Sequence, residues 1–276
     1  MTAVASAPVR GEVRPARPAG FAQVLRSEWT KMLTLRSTWV TLAIAVLLGV
    51  GGGVGISAAA AHAYRQGHIA PGGWKPVQVS SISLFFVQWA VAVLGATVVT
   101  GEYGSGMIRT SLAAVPRRGR FLVAKAVVLT AVVLVSGEAI SFGAFLAGQA
   151  MFGSGVPHAA LGQGGVLRSV VGAGLYLTAV GLLSTGLGFL VRSTAAAMAV
   201  IVGLLFVFPL IFGAIPVSWL KQVDKWWPTQ AGQQIYTQIG RHGSDVLGPW
   251  AGFGIFCAFV AAVLVAGYLV LRSRNA

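Results

Sequence analysis

Six stretches of this chain stay apolar for about 20 residues or more, the length a helix needs to cross the hydrocarbon core of a bilayer. They run over residues 39–61, 79–100, 126–151, 170–191, 194–215 and 250–271. In hydrocarbon every backbone N–H and C=O must be satisfied within the protein, so runs this long fold as helices. The spacing therefore predicts an all-α polytopic membrane protein with six transmembrane helices. Composition agrees. Of 276 residues, 56% are hydrophobic and only 9% are charged, against about 25% in an average soluble domain. So few charges cannot cover a soluble surface of this size, and so apolar a chain is not a disordered one.

The formal net charge is +14. In a soluble chain that would point to nucleic acid, but no polar basic domain is left over to bind it. Basic residues instead flank the spans. Arg10, Arg14, Arg17, Arg26, Lys31, Arg36, Arg109, Arg117, Arg118, Arg120, Lys125, Arg192, Arg272 and Arg274 fall on one side. Arg65, Lys75, Arg168, Lys221, Lys225 and Arg241 fall on the other. The positive-inside rule then predicts that both termini are cytoplasmic in a multi-pass cell-membrane protein. Residues 1–20 are rich in Ala, Pro and Arg and lack an apolar core, so they read as a disordered basic leader rather than a signal peptide. The preference for Arg over Lys, with abundant Ala, Gly and Val, points to a bacterial, GC-rich genome. Cys257 is the one cysteine and lies in an apolar run, which excludes an intrachain disulfide framework. The outer loops are short, and no internal repeat of the inverted-repeat carrier kind is visible.

Two polar segments on the cytoplasmic side carry more information. In residues 21–36, Phe21, Val24, Leu25, Trp29, Met32 and Leu33 fall on one helical face, with Gln23, Arg26, Ser27, Thr30, Lys31 and Thr34 opposite. This predicts an N-terminal amphipathic helix in the membrane interface, serving either as a passive anchor or as a docking element. In the loop 102–125, Gly104 and Gly106 break the second span, and residues 107–115 can form about two helical turns before Pro116 stops them. Met107, Ile108, Ser111, Leu112 and Val115 share one side of those turns. An apolar face on a cytoplasmic helix needs a protein or lipid surface to cover it.

These two segments resemble the ABC-2 family of permeases of ATP-binding-cassette exporters. The resemblance rests on Ser27-Glu28-Trp29-Thr30-Lys31 and Leu35-Arg36-Ser37 before the first span. The loop adds Glu102, Gly106, Ile108-Arg109, Pro116-Arg117-Arg118 and Lys125. With six spans and a Pro-containing polar stretch before the last, it covers nearly the whole chain. It implies a type-2 exporter fold in which two permease subunits, homo- or heterodimeric, pair with two cytoplasmic P-loop ATPase subunits. It further implies an elbow helix bearing Phe21, Leu25, Trp29 and Met32. The coupling helix would lie within residues 107–115, with Glu102, Met107, Ile108, Arg109, Ser111, Leu112 and Val115 contacting the ATPase or supporting that contact. The outer segment 216–249 would dip partly back into the membrane.

The chain has no G-x-x-x-x-G-K-[ST], and none of Lys31, Lys75, Lys125, Lys221 or Lys225 follows a glycine. It therefore carries no phosphate-cradling nest of its own. On this reading it is not an enzyme and binds no cofactor, and ATP and Mg would sit on the partner subunit. Phe85, Gln88 and Trp89 on the second span and Phe206, Pro209 and Phe212 on the fifth form stripes that either line a substrate path or pack against lipid. Pro209 should kink its helix. Glu138, at mid-depth in the third span, either contacts substrate or hydrogen-bonds a neighbouring helix. The glycines of residues 49–55 form G-x-x-x-G pairs suited to close helix contact. His62, His68, His158 and His242 match no metal spacing. The expected function is the membrane-spanning subunit of an ATP-driven exporter of a hydrophobic or amphipathic compound. The alternatives are a proton- or ion-coupled carrier built on Glu138 and, more remotely, an intramembrane enzyme, for which titratable groups are too few.

Overall fold

The computed structural model describes residues 20–115, 117–215, 217–237 and 247–273. The basic leader, Pro116, His242 and Arg274 lie outside the described residues, apart from Gly20. Among the described residues the chain is helical with no strand. A short helix α1 spans Phe21–Thr34. Six helices long and apolar enough to cross a membrane follow: α2 Arg36–Arg65, α3 Pro76–Gly104, α5 Arg118–Ala150, α6 Val166–Val191, α7 Thr194–Ala214 and α10 Pro249–Ser273. Between them lie α4 Met107–Ala114, α8 Ser218–Trp226 and α9 Pro228–Gln233.

The spans extend past the apolar runs that announce them. The largest difference is α5, which starts at Arg118 rather than near residue 126. Arginine and lysine are good helix formers, so the helix continues through the basic stretch where hydropathy drops. Likewise α2 follows α1 after a single extended residue, Leu35.

The core is organised around α6, the most buried span. It packs against α3, α5 and α10. By contrast α2, α7 and α10 keep most of their apolar surface outward, as helices facing lipid or another subunit do. On α2, the two glycine pairs separate. Gly49 and Gly53 press on Ile140 and Ala144 of α5, whereas Gly55 faces open space. Close helix contact therefore uses one pair only.

Pro209 has a specific consequence in α7. Residues 203–207 form a π-turn just before it. In that register the carbonyl of Leu204 would pair with the N–H of residue 209, which proline lacks. The Trp227 indole N–H donates to this carbonyl at 2.9 Å and the Thr229 hydroxyl at 3.1 Å. The orphan left by the proline thus pins the α8–α9 corner to α7.

After α8 the chain turns back along the bundle. Thr229, Ala231 and Ile235 are fully buried, with α9 held against α10 and α6. Arg168 donates to the Ile235 carbonyl at 3.0 Å. Gln233 reaches the hydroxyl of Tyr176 at 3.4 Å, a residue about 15 Å along α6 from its start.

Candidate functional site

One end of the bundle gathers α1, α4, the C-terminal ends of α3, α6 and α10 and the basic N-terminal end of α5. Beneath them lies a shared apolar cluster of Val24, Val99, Ile108, Val115, Phe121, Leu122, Phe189 and Leu271. Gly106 makes the reversal between α3 and α4 with φ 73°, a left-handed conformation that glycine adopts without steric cost.

Four charges from three helices meet on this cluster. Glu28 and Lys31 stand one turn apart on α1 and pair at 2.8 Å. Glu102 occupies the last turn of α3, and Lys125 lies two turns into α5. Lys125 donates to Glu28 Oε2 and to Glu102 Oε1, both at 2.7 Å. Lys31 donates to Glu102 Oε1 at 3.1 Å and to the Ser111 hydroxyl of α4 at 3.3 Å. The two lysines and two carboxylates sum to zero charge. An acid at a helix C-terminus opposes the macrodipole, so Glu102 depends on its two ammonium partners. The Lys125 side chain is 2% exposed and also sits 5.0 Å from the Phe121 ring centre. Burial alone would lower the pKa of Lys31, but hydrogen bonds and attraction to Glu28 and Glu102 outweigh it and hold the ammonium above the ordinary lysine value.

A buried ion pair resists shear because separating its members strands a charge out of water. The α1 helix is thereby held in register with α3 and α5, and the Lys31–Ser111 bond adds α4.

The residues expected around the coupling helix divide into two sets. Ile108 and Val115 are buried in the shared cluster, Leu112 packs on its edge, Ser111 receives Lys31, and Glu102 is inside the charge network. Met107 and Arg109 face outward, joined by Thr110, Ala113 and Ala114. The free face of α4 is thus mixed, with Met107 and two alanines beside Arg109 and Thr110. The α1 face also divides. Val24, Glu28 and Met32 point inward and Leu25 packs at the edge, whereas Phe21 and Trp29 are exposed. Motif reading alone did not assign Glu28 or Lys125 a site role. Their signal was available: acids number six in the chain, and Glu28 and Glu102 both fall beside span ends on the basic side.

The expected substrate-path residues separate as well. Phe85, Trp89 and Phe206 come together, with ring centres 6.1–6.5 Å apart, on an outward face of α3 and α7. Phe212 lies instead with Phe208 and Trp227. Gln88 turns into the bundle, where its Oε1 accepts from the Tyr176 hydroxyl at 3.2 Å. Glu138 sits on the α5–α6 seam, where a methyl group at Gly174 would clash with its carboxyl. Its Oε2 is buried without a hydrogen-bond partner. No group of three or more His, Cys, Asp or Glu suited to a metal occurs among the described residues. Set beside known proteins, the chain matches no family model and no curated sequence.

Proposed function

We infer that this chain is the membrane-spanning permease subunit of an ATP-driven exporter, working as a homo- or heterodimer with a separate cytoplasmic P-loop ATPase. The observation that carries this reading is the buried network of Glu28, Lys31, Glu102 and Lys125. Through Ser111 it fastens a short helix, whose outer face carries Arg109 and Thr110 beside Met107 and two alanines, to the ends of two spans. A push on α4 is then transmitted directly into α3 and α5. A partner would meet Met107, Arg109, Thr110, Ala113 and Ala114 on the basic end, which the positive-inside rule puts in the cytosol. Closure of the ATPase pair would tilt the bundle and expose the Phe85–Trp89–Phe206 face differently on the two sides of the membrane. That aromatic, apolar face suits a hydrophobic or amphipathic substrate.

The test is gentle purification of the tagged chain from its host membrane, with mass spectrometry of what accompanies it. The expected result is a stoichiometric P-loop ATPase that is lost on Arg109→Glu while the permease still inserts. A chain that purifies alone and transports without ATP overturns the reading. A second reading, a proton-coupled carrier, is favoured by the buried, unpartnered Oε2 of Glu138. Under that reading Glu138→Gln abolishes transport, whereas an ATP-driven exporter keeps it.

A further inference from the structure

Arg192 forms the two-residue corner between α6 and α7 with Ser193. It is the one non-glycine residue with positive φ among those described, at 60°. Glycine is the usual occupant of that position after a helix, so the arginine is held there against its backbone preference. Its guanidinium lies over the Tyr103 ring, 5.2 Å from the centre. Its Nε and Nη2 are buried, yet neither has a hydrogen-bond acceptor, and the Tyr103 hydroxyl is likewise buried without a partner. Buried donors of a charged group are rarely left unpaired.

No described carboxylate compensates it. The neighbouring Glu102 pairs with Lys31 and Lys125 through Oε1 in a network that is already neutral; its Oε2 is buried without a partner and makes no ion pair with Arg192. Arg118 donates to the Leu271 carbonyl of α10 at 2.5 Å and adds to the positive field around Tyr103. What is missing is an anionic acceptor with several oxygens.

We propose that Arg192 and Tyr103 form a binding site for a phosphate group, supplied by a phospholipid of the leaflet at the basic end. Depth favours lipid over a soluble or protein ligand. Arg192 follows directly on the last residue of a membrane-spanning helix, which sets it at headgroup level. The adjoining α7 is the span least buried by the rest of the protein, so the corner opens sideways to the leaflet. The planar fork of arginine matches phosphate oxygens two at a time. The site does not depend on an ATPase partner.

The test uses the full chain in neutral detergent, delipidated, and follows thermal unfolding while one probe is titrated. The probes are phosphatidylglycerol, diacylglycerol with the same acyl chains, and inorganic phosphate. Saturable stabilisation by phosphatidylglycerol alone is expected, with apparent affinity about 10- to 100-fold weaker in Arg192→Gln. Arg36→Gln, an exposed arginine at the same end, should leave the response intact. If Arg192→Gln does not purify as a single species, Arg192→Lys carries the test, since it keeps the charge and removes the fork; a weaker response is again expected. Equal responses in wild type and the Arg192 variants overturn the site. Stabilisation by diacylglycerol overturns the phosphate chemistry. A shift with inorganic phosphate that needs Arg192 overturns the lipid source. Loss of a co-purifying ATPase in Arg192→Gln with the lipid response unchanged overturns it in favour of a protein carboxylate.

Discussion

Replacing Lys125 by methionine keeps side-chain volume and removes the most buried charge of the junction. Both its ion pairs measure 2.7 Å and its side chain is 2% exposed. Breaking a buried pair by deleting one partner costs about 3–5 kcal/mol, mostly from the charges left behind. Glu28 and Glu102 would both retain Lys31, at 2.8 and 3.1 Å, so the lower end, about 3 kcal/mol, is expected. For a chain of this size that corresponds to a fall in Tm of roughly 6–12 °C. Lys31→Met is the internal control. Its side chain is 32% exposed, so solvent screens its pairs and its loss should cost about 1 kcal/mol or less. The assay is fluorescence-detected thermal unfolding of the detergent-solubilised chain at neutral pH. Adding Glu102→Gln to Lys125→Met leaves Glu28 paired with Lys31 and no excess charge, and should recover most of the lost stability. A Lys125→Met variant no less stable than Lys31→Met would refute the buried-network reasoning. So would a double Lys125→Met/Glu102→Gln variant that falls further than the single one.

Lys31 has its pKa raised by folding, so its contribution is complete below the unfolded lysine value and is lost only as pH rises through the folded one. The Tm difference between wild type and Lys31→Met should therefore stay flat from about pH 6 to 9 and shrink only in the strongly alkaline range, checked by unfolding scans across pH. Trp227→Phe combined with Thr229→Val leaves the Leu204 carbonyl unpaired and should destabilise by about 1–3 kcal/mol; each single change should do far less, because the other donor remains. Gly174→Ala puts a methyl group against the Glu138 carboxyl, the far end of a side chain that can swing aside, and should cost about 1 kcal/mol, the low end for overpacking. Glu138→Ala in the same chain should restore Tm, and failure to do so would show that the two side chains do not share that space.

The six spans were legible because each is a long, predominantly apolar run, and hydrocarbon admits little besides a helix. Their ends were less so. The start of α5 at Arg118 lies among basic residues, where hydropathy drops although helix propensity does not. The amphipathic pattern of residues 21–34 announced α1, but which part of its apolar face turns inward depends on partners far away in sequence. Glu28 shares a face with Val24 and Met32 at four-residue steps, yet reads as polar until Lys125, 97 positions on, neutralises it. The same holds for the substrate-path stripe. Phe85, Gln88 and Trp89 are neighbours on one helix, but the short distance between Gln88 and Tyr176 turns the glutamine inward and leaves the aromatic rings outside.

The polar groups of this chain sort by whether they close on themselves. Glu28, Lys31, Glu102 and Lys125 form a neutral set, and such a set favours a single register: sliding α1 by one turn would strand at least one charge in a buried site. Gln233, Tyr176 and Gln88 form a chain of hydrogen bonds that ties the returning segment to α6 and α3. Leu204 closes on Trp227 and Thr229. These closed sets fasten elements together, which suits parts that must move as one body. Arg192 differs: Nε and Nη2 both stay without acceptors and the group has no ion pair among the described residues, whereas Glu102 Oε2 and Gln88 Nε2, also buried without partners, belong to side chains already held through Oε1. Because buried donors are costly to leave unmade, an open group of this kind is where a ligand gains most from binding. The unpaired guanidinium therefore marks a contact with something outside the chain, while the paired charges nearby mark the rigid junction that would respond to it.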